Sequence, residues 1–320
     1  MSASAAKEAV HVSLCSNVLG LRGAVEAAFA SSALASRYEL RLQDLAAQGD
    51  EAEAEILLAD PGKVKDLLDS VRGLRWLQST WAGVNALEGV KRRDFTCTRH
   101  GGYFGQQMSE YVFGAIFYED WRSLAGHQAR GEWAPEAFRK RRRLSSLALG
   151  LLGAGDIPRA IGLRARAFGM RTLALASSAR ESADFDVVTA DLDLVLGEAD
   201  VVVNVLPSTP ATRGLLDGGR LAACGQGKLL VNVGRGDVVS EAGLLEALQK
   251  GWLRRAVLDV FAAEPLPASS ELWGHPQVQL SPHIAAVTYA EDTAELFVEN
   301  LALWLEGRPL RFVVDLDRGY

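Results

Sequence analysis

Short runs rich in valine, leucine and isoleucine alternate with helix-like segments along nearly the whole chain, and this alternation leaves few ways to fold it. Toward the N-terminus the runs are VHVSLC (10–15), YELRLQ (38–43), EILLAD (55–60), LRWLQS (74–79) and FTCT (95–98). A second series starts near Leu147 with LALGLLG. It continues through RTLALAS (171–177), ADVVVNVLP (199–207), GKLLVNVG (227–234), RAVLDVF (255–261) and VQLSPH (278–283). Helical segments intervene, among them EAGLLEALQKG (241–251), whose apolar residues recur at helical spacing and whose Gly251 is a stop signal. Such alternation is the signature of parallel βαβ units. Two series predict an α/β protein with two doubly wound, parallel-sheet, Rossmann-like domains.

The segment between the two series, 108–128, carries a wide apolar stripe that includes Tyr111, Val112, Ala115 and Ile116. With Ser109 as its start cap, it predicts a long crossover helix. A second helical run, 288–307, follows the last strand, and the tail RPLRFVVDLD is placed to return to the first domain.

Length and composition agree: 320 residues suit two domains, and 48% hydrophobic with 23% charged residues describes a soluble globular chain. A net charge of −6 gives no general reason to expect nucleic-acid or anionic-membrane binding, since both polyanions are repelled on average. The basic run RKRRR (139–143) is a local exception, read as a solvated helix end or connecting loop. The opening MSASAAKEAVHVSLC lacks a signal-peptide core, and no run approaches the roughly 20 apolar residues that span a bilayer. A cytoplasmic protein is therefore expected. Cys15, Cys97 and Cys224 are odd in number and far apart, so neither a disulfide framework nor a metal site is expected.

The stretch LGLLGAGDIPRAIG (149–162) nearly spells the glycine fingerprint of a dinucleotide-binding turn. In that pattern the first glycine makes the tight turn and the second lets the backbone approach a pyrophosphate at a helix N-terminus. Gly153 and Gly155 supply both, whereas Pro158 stands where the third glycine belongs. A proline in the first helical turn removes an N–H that has no helical partner anyway, so the expected cost is a small outward shift of the helix. About 20 residues further on, an acid usually holds the adenosine ribose of NAD. This chain has Ser177, Ser178 and Arg180 there, so no carboxylate repels a 2′-phosphate and an arginine with two hydroxyls can hold it. NADP(H) is favoured over NAD(H).

Three later segments each follow a candidate strand of the second series: VNVGRGDVVSE around Arg235, LDVFAAEPLP around Glu264 and QLSPHIAAVT around His283. Ligands of doubly wound sheets bind at the carboxyl ends of the strands, so these side chains are expected to converge there. Reduction of a 2-keto acid needs this set: a guanidinium to hold the carboxylate in two parallel bonds, and an acid to protonate the oxygen as hydride reaches carbon. A nearby carboxylate orients the imidazole.

With these strings in hand the chain resembles the D-isomer-specific 2-hydroxyacid dehydrogenases, and within them the glyoxylate/hydroxypyruvate reductase-like branch. The resemblance rests on LQSTWAGVNAL, MSEYVFG, GLLGAGDI, ADVVVNVLPSTPATRGLL, LVNVGRGDVVSEAGLLEAL, LDVFAAEPLP and LSPHIAA, from about residue 74 to 286. It implies that Arg235 binds the substrate carboxylate, His283 is the general acid/base and Glu264 its partner, while the amides at Ala82 and Gly83 also cradle the carboxylate. Cofactor contacts are implied at Gly153, Gly155, Asp156, Ile157, Leu206, Pro207, Thr212, Val233, Asp259, His283 and Ala285, with Asp259 accepting from the nicotinamide amide. Trp76, Trp81 and Tyr103 are bulky groups for the substrate pocket, the core or a lid.

The resemblance further implies a substrate-binding (catalytic) domain of 1–107 plus 287–320 and a dinucleotide-binding domain of 108–286. It also implies a homodimer joined through the cofactor domain, with 106–145 as the interface. Two positions depart from the family pattern: Pro158, and Asn85 where an aspartate is frequent. The expected activity is reduction of small 2-keto acids to D-2-hydroxy acids. The alternative is a non-catalytic dinucleotide-sensing interaction protein on the same fold, which the altered fingerprint supports and the retained trio opposes.

Overall fold

A computed structural model describes residues 7–45, 53–136, 142–217 and 219–320. The chain divides into two compact units, Met1–Tyr103 with Thr288–Tyr320, and Phe104–Val287. Each is built on a parallel sheet.

The first unit contains β1 (Glu8–Cys15), α1 (Leu21–Ser31), β2 (Tyr38–Asp44), β3 (Ile56–Ala59), α2 (Pro61–Val64), β4 (Trp76–Ser79) and β5 (Thr96–Thr98), in the order β2-β1-β3-β4-β5. Strands β3 and β4 are buried along their whole length; β3, Ile-Leu-Leu-Ala, is accordingly a continuous apolar run, while β4 ends in the buried polar pair Gln78 and Ser79. One sheet face packs Val12, Trp76 and Ile56 against Phe29 of α1 and Phe297 of the helix Ala290–Leu305. Trp76 is a core residue: it is fully buried, stacks on Phe297 and Trp304, and donates from Nε1 to Thr98 Oγ1 at 2.9 Å. A pocket role is thereby set aside for it, because β-strand alternation turns it toward that helix.

The second unit contains α3 (Phe104–Ala129), β6 (Ala148–Leu152), α4 (Asp156–Ala167), β7 (Arg171–Leu175), β8 (Val187–Thr189) and α5 (Leu192–Glu198). It continues with β9 (Val201–Asn204), β10 (Lys228–Asn232), α6 (Glu241–Gln249), β11 (Leu253–Leu258) and β12 (Val278–Leu280). The strand order is β12-β11-β10-β9-β6-β7-β8. The hydrophobic pattern gives six of these strands; the seventh, β8, is a three-residue edge strand pairing only with β7, too short to register as an apolar run.

Helix α3 begins at Phe104 rather than Met108, so Ser109 is not its cap. Its hydroxyl instead donates to the Gly105 carbonyl four residues back, at 2.5 Å. Gly105 belongs to the helix because α4 comes close: a β-carbon there would lie 2.5 Å from Ala160 Cβ. Of the basic run, Arg139, Lys140 and Arg141 lie outside the described residues, while Arg142 pairs with Asp200 at 2.5 Å. Cys97 and Cys224 are buried and Cys15 half-buried, all free thiols.

Candidate active site

The second sheet reverses direction between β6 and β9, and the loops that leave these two strands flank the point where doubly wound sheets take their ligand. The turn after β6 is the fingerprint. Gly153 has φ 125°, a backbone region that only glycine enters readily, and the Pro158 ring would sit 3.4 Å from a β-carbon there. Gly155 caps α4, and a β-carbon on it would meet nothing within 4 Å, so the side of the turn where a pyrophosphate approaches is open. The first helical bond runs from Arg159 N–H to the Gly155 carbonyl at 3.1 Å. Pro158 precedes it and removes no helical bond. Close packing of α4 falls instead to Gly162, where a β-carbon would lie 2.9 Å from the Phe185 ring.

Two buried asparagines tie the loops after β9 and β10 together. Asn204 Nδ2 donates to Asn232 Oδ1 at 2.8 Å, and Asn232 Nδ2 donates to the Arg235 carbonyl at 3.0 Å. Asn204 Oδ1 accepts from the Leu206 N–H, and Asn232 Oδ1 accepts from the Gly234 N–H as well, each at 3.2 Å. A polar residue closing each valine run is the signal that could have revealed them, and sequence reasoning passed it by. Ser208 donates to Asp237, and Arg213 Nε donates to Ser208 at 2.9 Å, adding a second tie between the same loops. Thr212 Oγ1 donates to the Pro207 carbonyl at 2.6 Å and closes the loop that also carries Leu206.

Arg235 is thus fixed by its own backbone. One of its guanidinium nitrogens donates to the Gly234 carbonyl at 2.7 Å. Burial lowers its pKa, and the charges of Glu264 and Asp237 act in the other direction. Glu264 receives two donors: the Phe261 N–H on Oε1 at 2.9 Å, and His283 Nδ1 on Oε2 at 2.8 Å. Because a carboxylate only accepts, Nδ1 carries the proton, which leaves Nε2 as the ring nitrogen free to exchange one. The histidine and glutamate side chains are 50% and 36% exposed, so the pair faces solvent and can meet a substrate.

Beyond β12 the chain turns sharply, and His283 has φ 55°, a left-handed conformation unusual for a non-glycine residue. Asp259, at the end of β11, is 1% exposed and accepts from Ser281 Oγ at 2.6 Å and from the amides of Ile284 and Ala285, both at 2.8 Å. Its carboxylate therefore braces the turn that carries the histidine. Val233 and Ala285 are buried in the apolar core of this unit, and Ser177, Ser178 and Arg180 are exposed beyond β7.

In the first unit Asp60, 3% exposed, joins the loops after β1, β3 and β4. It accepts from Ser16 Oγ at 2.5 Å, the Asn17 amide at 2.7 Å and Thr80 Oγ1 at 2.6 Å. Thr80 opens the loop that contains Ala82 and Gly83, both half-buried. Trp81 is 41% exposed and lies over Gly62, where a β-carbon would be 2.9 Å from its ring. Tyr103 packs edge-on against His100, and burial, with Glu295 as hydrogen-bond partner, pushes its phenol upward.

The residues of the second unit suit a dinucleotide: a glycine turn at a helix start, open space at Gly155, and the fingerprint at the sheet's reversal point. Comparison with known proteins points the same way. The family described as D-isomer specific 2-hydroxyacid dehydrogenase, NAD binding domain, matches residues 118–285. A glyoxylate/hydroxypyruvate reductase A of Salmonella newport (strain SL254) is 34% identical over 221 residues, 68% of this chain and 70% of that protein. A solved D-isomer specific 2-hydroxyacid dehydrogenase family protein from Aeromonas salmonicida subsp. salmonicida A449 is 36% identical, with a TM-score of 0.81 over 96% of this chain and 99% of that one. An NADPH-dependent glyoxylate/hydroxypyruvate reductase from Sinorhizobium meliloti, solved with NADP and sulfate, is 26% identical, with a TM-score of 0.82 over 97% and 99% of the two chains. The two-sheet α/β fold, the glycine turn and these matches together place the chain in the D-isomer specific 2-hydroxyacid dehydrogenase family.

Proposed function

We propose that this protein reduces small 2-keto acids of the glyoxylate and hydroxypyruvate type to D-2-hydroxy acids, with NADP(H) preferred over NAD(H). Its family membership makes it an NAD(P)-dependent 2-hydroxyacid dehydrogenase. The single observation that carries the finer reading is the 2.8 Å bond between His283 Nδ1 and Glu264, whose charge acts on the half-buried Arg235. Held at the turn of Gly153 and Gly155, a nicotinamide dinucleotide would supply the hydride. Arg235 pairs with the substrate carboxylate through two parallel bonds, and the amides of Ala82 and Gly83 are further donors to it. His283 gives a proton from Nε2 to the keto oxygen, while Glu264 holds the ring and steadies its charged form.

The NADP(H) preference is supported by Ser177, Ser178 and Arg180, exposed where an acid would otherwise repel a 2′-phosphate, and by the NADP bound to the Sinorhizobium relative. We further assign the substrate role to the first unit and the dinucleotide role to the second, with a homodimer formed through the second and a cytoplasmic location. Among the described residues no helix is long and apolar enough to cross a membrane. Exposed Tyr118 and Trp133, 46% and 96% accessible, lie within the expected interface segment. The sensor alternative draws on Pro158 alone, and that proline costs no helical bond.

The test is steady-state oxidation of NADPH and NADH with glyoxylate, hydroxypyruvate, pyruvate and bulkier keto acids, for the parent, Arg235→Ala and His283→Ala. Parental turnover in either folded variant, or cofactor binding without turnover across the panel, overturns the reading.

A further inference from the structure

A hydroxyl relay leads from the middle of α3 to the histidine turn. Tyr111 places its phenol oxygen 2.5 Å from Ser281 Oγ, which in turn lies 2.6 Å from Asp259 Oδ1. The direction of the relay follows from proton counting. A carboxylate accepts only, so the single Ser281 proton points at Asp259; Ser281 Oγ must then accept, and Tyr111 is the donor. Burial, reinforced by the Asp259 charge and opposed by the Ser281 bond, raises the phenol pKa, so the donor keeps its proton at neutral pH.

Asp259 ends the relay by gripping three consecutive amides. His283 N–H reaches its main-chain oxygen at 2.8 Å, Ile284 N–H its Oδ1 at 2.8 Å and Ala285 N–H its Oδ2 at 2.8 Å. This grip is what holds His283 at φ 55°, a conformation that costs about 1–3 kcal/mol and persists only when the surroundings over-determine it. The Ser281 and Tyr111 hydroxyls fix where the buried carboxylate sits, and through it where the imidazole points.

On the reading that His283 is the acid/base, we propose that Tyr111 and Ser281 are positioning residues for the proton-transfer step, acting through Asp259 without touching the substrate. Neither has a part in the roles assigned above.

The experiment is steady-state oxidation of NADPH with glyoxylate for Tyr111→Phe, Ser281→Ala, Ser281→Thr, the Tyr111→Phe/Ser281→Ala double variant and His283→Ala. Tyr111→Phe and Ser281→Ala should each lower kcat by about three- to thirtyfold, within the penalty that sub-ångström misplacement of a catalytic group carries. KM for glyoxylate should stay within about twofold, since the carboxylate clamp is untouched. Ser281→Thr, which keeps the hydroxyl, should recover most of the lost kcat, and the double variant should be no slower than Ser281→Ala, because both changes cut one relay. Parental kcat in both single variants, losses that multiply in the double, or a loss confined to KM would overturn the proposal. His283→Ala separates the two levels: if it is inactive while the relay variants are unaffected, the relay alone fails; if it turns over normally, the acid/base reading fails first. Should Ser281→Ala not fold, Tyr111→Phe, which removes one oxygen, decides the matter by its kcat alone.

Discussion

Gly236 lies so close beneath Phe261 that a β-carbon on it would stand 2.0 Å from the Phe261 carbonyl carbon and 2.4 Å from the Ala262 nitrogen. The loop that carries Arg235 and the loop that leads to Glu264 therefore touch backbone to backbone. Because the obstacle is main chain, no side chain can swing away to make room.

Gly236→Ala should accordingly move both loops apart. Overpacking of this kind costs about 1–3 kcal/mol, with a backbone obstacle at the upper end. Displacing Arg235 by about 1 Å should lower kcat/KM for a 2-keto acid about a hundredfold. Thermal melting and steady-state kinetics on the purified variant check both; parental kcat/KM in a folded Gly236→Ala protein would contradict the close approach.

Glu264→Gln retains an oxygen that can accept from His283 Nδ1 but loses the negative charge that steadies the imidazolium before it gives up its proton. The expected loss is about ten- to a hundredfold in kcat with little change in KM, and Glu264→Ala should lose more. A Glu264→Gln enzyme as fast as the parent would show that the pair is structural only.

Arg180 is exposed beyond β7, whereas Arg235, Glu264 and His283 follow β10, β11 and β12, so on the proposed reading removing its charge bears on cofactor choice. Arg180→Ala should raise KM for NADPH by about ten- to a hundredfold, the value of a charge-assisted bond, and leave KM for NADH within about twofold. Equal effects on both cofactors would rule out a 2′-phosphate contact.

Asp60, in the loop after β3, collects three donors from two other loops of the first unit. Asp60→Asn sets an N–H₂ against at least one of them and should lower the unfolding free energy by about 2 kcal/mol. The loosened Thr80–Gly83 loop should show as a rise of about tenfold in KM for the keto acid. A melting temperature and KM both matching the parent would disprove the bracing role.

Burial pushes the Cys97 thiol up to about 12 and the Cys224 thiol up to about 11, the latter despite nearby Lys228. The unfolded chain ionises near about 8.5, so the folded form holds these protons more tightly. Their contribution is fully present below that value and is lost as pH rises toward the folded values, by about 1.4 kcal/mol per pH unit for each thiol. Melting temperatures from pH 7 to 10 should fall more steeply for the parent than for Cys97→Ala; identical slopes would refute this.

The sequence by itself determined most of the elements and pointed to the side chains of the candidate site. Apolar runs bounded by polar segments place every strand except the three-residue β8; the clearest are those buried on both faces, such as β3 and β9, which leave a continuous mark in the chain. Gly153, Arg235, Glu264 and His283 were legible for the same reason: each follows such a run, where sheets of this kind gather their ligands. Tertiary structure alone decided what holds those residues. Ser109 looks like a helix cap, yet α3 begins at Phe104, and Gly105 within it lets α4 approach closely. For Trp76 the sequence leaves pocket, core and lid open, and the strand face that turns it onto Phe297 decides for the core. Asp259 is expected from the resemblance to face the nicotinamide amide, and only the fold shows its main-chain and side-chain oxygens taking three consecutive amides. Tyr111 and Ser281 stand 170 positions apart and meet at 2.5 Å. Periodicity records which face a residue takes within its own element; which residues of distant elements share a hydrogen bond is set by strand order and helix packing, and these leave no local trace.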